Sequence, residues 1–225
     1  MSRCPRLCRA ALRLAGAVVV ASMCLGSAQA ELGTVFFEGV ISPLGSFVDP
    51  TGSFSKGQAI SGFWTVDTAT PDGDADPKRG EYPQTGAPAF QIDIGGKSFS
   101  TVDATIQILD DYTTGIGTID AYDVLGGSGA SSIVGLTVDQ MQITLRDTEL
   151  PLNALASDVL PTGAPNPGSF DQVGQAAGQI TGSFNGNDVF LNLEIRSARY
   201  VPEPSTALLA LVGAGLLAIS RRRRA

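Results

Sequence analysis

The chain has 225 residues, 43% of them hydrophobic, 16% charged and 7% aromatic, with 27 glycines, no histidine and a formal net charge of −7. The lack of histidine excludes Ser-His-Asp hydrolysis, imidazole acid–base catalysis and imidazole metal sites together. Eight of the fifteen basic residues lie at the two ends, so residues 31–200 hold seven basic against twenty-one acidic residues, a net of −14 that excludes nucleic-acid binding.

Taken from its start, the chain carries Arg3, Arg6, Arg9 and Arg13, then an apolar run from Leu14 to Leu25, then Ala28-Gln29-Ala30. A basic segment, a hydrophobic segment and a small-x-small site in that order predict a signal helix over residues 1–30, cleaved after Ala30 with Ala28 as the second small residue. Met23 and Ala21 do not suit a lipoprotein site at Cys24. Cys4, Cys8 and Cys24 all precede Ala30, so the mature chain has no disulfide, thiolate metal site or cysteine nucleophile.

Residues 31–200 read as one exported all-β domain. Phe90, Ile92 and Ile94 alternate with polar residues, as do Val102 to Ile108 and Val189 to Ile195, the pattern of antiparallel strands with one face on a core. Further strands are expected over Thr34–Ser42, Ala59–Asp67, Gly115–Val124, Ile133–Val138, Met141–Arg146 and Gln179–Phe184. A phase change at Asp139-Gln140 marks a bulge or tight turn. Gly95-Gly96 and Asn185-Gly186-Asn187 are hairpin signals. Leu152, Leu155, Ala156, Val159 and Leu160 share a helical face between Pro151 and Pro161, predicting one short helix. The expected fold is an antiparallel two-sheet sandwich or jelly roll, with a flattened barrel as the alternative.

Asp72, Asp74 and Asp76 alternate in a loop and could converge on Ca²⁺, which takes 6 to 8 oxygens. Pro77 and Pro83 stand where an EF-hand needs Gly and Glu, and a solvated acidic turn is the preferred reading. No other cofactor is expected. Glu38, Glu81, Glu149 and Glu194 are the candidates for a carboxylate-based glycoside hydrolase. Trp64, Tyr82, Tyr112, Tyr122 and Phe63 are candidates for sugar stacking, with Trp64 on the core side of its strand and Phe63 on the outer side.

After Pro202-Glu203-Pro204 come thirteen uncharged residues, Ala207 to Ile219, then Arg221, Arg222, Arg223 and Arg224. The apolar run is shorter than the ~20 residues of an ordinary spanning helix, and snorkelling arginines extend it. The positive-inside rule places the arginines in the cytoplasm, so residues 201–225 predict a membrane-anchoring tail with a transmembrane helix. Its three parts resemble the PEP-CTERM sorting tail. That resemblance implies recognition by an exosortase, cleavage near the Pro-Glu-Pro motif, and final attachment at the envelope or release. The run Gly62-Phe63-Trp64-Thr65-Val66-Asp67-Thr68, with Pro71-Asp72 and Gly80-Glu81-Tyr82, also resembles a β-rich architecture common among such exported proteins. The expected partners are the export machinery, an exosortase, the membrane and an extracellular polysaccharide. The expected function is that of a non-enzymatic structural or adhesion protein, with a carbohydrate-binding module and then a glycoside hydrolase as alternatives.

Overall fold

Period-two alternation decides the strands, and the hydrogen-bond ladder decides how they join. The computed structural model describes residues 32–115, 117–171 and 177–203. The expected signal helix with Ala28 and Ala30, and the expected transmembrane helix with Pro204 and Arg221 to Arg224, lie outside these residues. The strands are β1 (Leu32–Ile41), β2 (Phe47–Val48), β3 (Ala59–Asp67), β4 (Arg79–Ile94), β5 (Lys97–Thr114), β6 (Gly117–Gly126), β7 (Ala130–Ser131), β8 (Leu136–Asp147), β9 (Gly178–Phe184) and β10 (Asn187–Pro202).

Pairing runs β1-β3-β4-β5-β6-β8-β9-β10, antiparallel throughout, with β2 added to β10 and β7 to β5. β1 also pairs with β10. The eight main strands therefore form a closed meander in which each has a partner on both sides, which removes the unpaired edge that invites aggregation. The antiparallel all-β expectation holds, and the ring of pairings is that of the barrel alternative.

Inward positions fill the interior. Trp64, Phe90, Ile92, Ile106, Ile108 and Ile143 are all wholly covered, and each such side chain contributes roughly 1.5–3 kcal/mol by leaving water. Two hairpins turn where the sequence signals them: Gly95 and Gly96 have φ of 56° and 78°, and Asn185 and Gly186 have φ of 51° and 79°. Two successive positive φ values match the twist of the flanking strands. The phase change at Asp139 is a bulge, since β8 shifts register on β9 between Val138 and Gln140 and continues as one strand.

The expected helix over Leu152–Leu160 does not form. That segment is irregular, and the one helical turn among the described residues is a 3₁₀ turn at Pro167–Ser169. Strand-end side chains satisfy the loop's polar groups instead. Asp147 Oδ2 accepts from Asn153 N–H at 3.3 Å, Asp120 Oδ2 from Leu155 N–H at 3.1 Å, and Tyr82 Oη donates to Asp158 C=O at 3.0 Å. Leu160 is buried while Val159 is 63% exposed, so the segment is pinned at points and does not bury one helical face.

Strand directions divide the connections between two rims. One rim holds the start of β1, the end of β10, the 68–78 loop and the β8–β9 connection. The other holds the 42–58 segment and the Gly95-Gly96 and Asn185-Gly186 hairpins.

Candidate functional site

The strand that closes the ladder ends inside the Pro-Glu-Pro segment. β10 pairs with β1 through Thr34↔Val201 and Gly33↔Pro202, and Glu203 N–H donates to Leu32 C=O at 2.9 Å. Proline suits this position, because a strand's last residue can lack an N–H without breaking the ladder. The first residues after the expected signal cleavage and the first residues of the sorting segment are therefore neighbours on one rim. A Cβ at Gly33 would enter the ring of Tyr200, so glycine there leaves room for that ring to lie across the seam.

On the outer face of the same seam lies a shallow cavity of about 400 Å³. Alternation turns Val35 and Phe37 inward and Phe36 and Glu38 outward. The register sets Phe36 opposite Phe63 on β3 and opposite Arg199 on β10. The Phe36 and Phe63 rings are 5.9 Å apart at 50°, and the Arg199 guanidinium lies 5.2 Å from the Phe36 centroid. Glu38, Ser61, Ser197 and Asp93 border the rings. Asp93 is held by Gln91 Nε2 and Ser98 Oγ.

The aromatic candidates from the sequence do not form one platform. Trp64 and Tyr122 are buried and meet across the interior, with Trp64 Nε1 donating to Tyr122 Oη at 3.3 Å. Burial raises the Tyr122 hydroxyl pKa, against the Trp64 hydrogen bond. Tyr82 is buried, and Tyr112 packs on a separate outer cluster with Leu109 and Ile119. Phe63 faces outward as expected, but its partner, Phe36, was not singled out from the sequence. The outward parity of Phe36 and Glu38 on β1 was the available signal.

The acidic loop is a chain of turns. Asp72 Oδ1 accepts from Asp74 N–H, Asp74 Oδ1 from Asp76 N–H, and Asp76 Oδ1 from Lys78 N–H, at 2.9, 2.9 and 3.0 Å. Asp72 Oδ1 also accepts from Glu81 N–H at 2.9 Å, which pins the loop to β4. Arg79 Nε lies 3.1 Å from Asp74 Oδ2. Arg79 also bonds Glu81, and that hydrogen bond raises the guanidinium pKa, against the effect of burial. Among the described residues no three acidic side chains stand together as a metal-binding group.

The candidate glutamates are distributed. Glu38 and Glu194 lie along the seam strands, Glu194 held by Arg196 Nε at 2.9 Å. Glu81 is on β4 and accepts from Gln107 Nε2 at 3.1 Å, while Glu149 lies in the β8–β9 connection. The most perturbed carboxyl is one that the sequence gave no reason to choose. Asp123, outward on β6 yet only 5% exposed, has its pKa pushed up to about 6 by burial, against the pull of Arg146 and Thr144. Its Oδ1 and Arg146 Nε each lack a hydrogen-bond partner.

No curated protein and no solved structure matches this chain. Residues 201–224 match the PEP-CTERM protein-sorting motif. Where its closing strand gives way to the tail, the chain thus carries the PEP-CTERM sorting motif, which implies export, processing by an exosortase and sorting to the cell envelope or surface.

Proposed function

We propose that this is a non-enzymatic structural or adhesion protein, exported, held for a time in the inner membrane by its tail, and then attached to the envelope or released in association with extracellular polysaccharide. The observation that supports this reading best is the seam. Gly33 and Pro202 are paired, so the start of the first described strand and the end of the last meet at one rim. A domain suspended by one rim can enter a matrix while its tail is still in the membrane. We further read the closed ladder as flattened into two facing layers, in the manner of a sandwich. Trp64 on β3 and Tyr122 on β6 are well separated along the ladder, yet their rings are 6.1 Å apart. The reading requires no cofactor, and the Asp72–Asp76 segment serves as a turn.

Replacing Pro202, Glu203 and Pro204 together by alanine in the native host tests the sorting step. The variant is expected to accumulate in the inner-membrane fraction at its unprocessed mass. Normal processing and release of that variant would remove the basis of the proposal.

The outer groove over Phe36 and Phe63 supports a second reading, a carbohydrate-binding module.

A further inference from the structure

The groove on the outer face of the seam is more fully built than a scattered apolar surface. Its floor is the Phe36–Phe63 pair, half-buried and held by cross-strand register on rigid strands. Arg199 lies over Phe36, so the guanidinium's hydrogen-bonding edge stays available around the ring. Glu38, Ser61 and Ser197 border the rings, and among the described residues their side chains take part in no hydrogen bond or ion pair. A carboxylate and two hydroxyls that the fold does not use, and a cation stacked on one of the two rings, thus line the groove.

We propose that this groove binds a neutral polysaccharide, one sugar ring packing its C–H face on Phe63, the ring Arg199 does not cover, while its hydroxyls bond Glu38 and Arg199. The chemistry selects that ligand class. Aromatic faces with polar groups at their edges match a ring that is apolar on its face and polar at its rim. Opposite charges at the two ends of the groove suit hydroxyls, which both donate and accept. A polyanion would have to approach a domain of net charge −14 and meet Glu38 and Asp93 at the site. A cavity of about 400 Å³ lies within the range of small-molecule clefts, roughly 300–1,000 Å³. An added peptide strand is disfavoured, because β1, β3 and β10 already have partners on both sides. The inference rests on the reading of the protein as polysaccharide-associated and assigns the site.

Full-length protein in a polyoxyethylene detergent, which carries no sugar headgroup, can be run through native gels containing dextran, a β-1,3-glucan, amylose or the polyanion alginate. Retardation by at least one neutral polymer is expected, with none by alginate. Phe63→Ala should weaken it on the order of tenfold, as loss of an aromatic anchor does. Glu38→Gln, at an exposed position, should weaken it several-fold with an unchanged melting temperature, so that lost binding is separated from lost folding. No retardation by any neutral polymer, retardation by alginate alone, or equal retardation of both variants and the parent would overturn the assignment. Intact mass of Phe63→Ala recovered from the native host separates this proposal from the sorting one. A correctly processed variant without binding supports both, and a correctly processed parent without binding leaves sorting standing while this site falls.

Discussion

Asp72 shows how one carboxylate can set a loop. Its Oδ1 accepts from both Asp74 N–H and Glu81 N–H, joining the acidic turn to the start of β4. Asp72→Ala is expected to cost about 1–2 kcal/mol in urea unfolding, since two backbone donors lose their acceptor. Asp72→Asn keeps an acceptor oxygen and should cost well under half as much. A calcium site would behave otherwise, with Asn as damaging as Ala and millimolar calcium raising the parent's melting temperature. Asp123 provides a pH test. Its folded pKa of about 6 lies above the ordinary carboxyl value of ~3.9, so the native state holds the proton more tightly than the unfolded chain. The sign follows from linkage: Asp123's contribution is complete below about pH 4 and is lost as pH rises through about 6, up to about 3 kcal/mol. Asp123→Asn should remove that loss. Parent and variant stability curves that stay parallel from pH 4 to pH 8 would show that the carboxyl is not buried as described.

At the scale of elements, the seam between β1 and β10 turns a row of hairpins into a ring. Gly33→Val would drive a branched side chain into the Tyr200 ring and should destabilise by about 1–3 kcal/mol. Gly127→Ala, with open space around its Cβ, is the neutral control. Equal midpoints for the two variants would mean that the seam tolerates separation at its end. Much of this architecture is legible in the sequence. Alternation locates β3 without error at Ala59–Asp67, and two glycine signals locate hairpins, because each depends on local geometry alone. The first half of β4 was missed, since Pro83 and Pro88 break the local strand pattern that the β5 pairing nevertheless supports from Arg79 to Thr85. The helix over Leu152–Leu160 was wrongly expected because an apolar face was visible, whereas the distant acceptors Asp120 and Asp147 were not. The groove was half legible: Phe63's outward parity follows from its own strand, but its pairing with Phe36 and Arg199 requires the register of three strands.

At the scale of the whole molecule, charge and topology point the same way. Among the seven basic residues in residues 31–200, Lys78, Arg79, Arg146 and Arg199 lie toward the rim that carries the tail, beside Asp67, Asp72, Asp74, Asp76, Asp147 and Glu149. An acidic rim repels an anionic membrane surface. The β1–β10 pairing includes Pro202, and Glu203 N–H bonds Leu32 C=O, so the ring closes within the described residues. Removal of the tail should therefore leave the ring of strands intact. The most direct test is intact mass spectrometry of the protein recovered from the native host's membranes and medium. The predicted mature species begins at Glu31, retains the ring of strands through Pro202 and lacks Arg221 to Arg224. Recovery of the protein solely at full-length mass, with all four arginines present, would contradict the account.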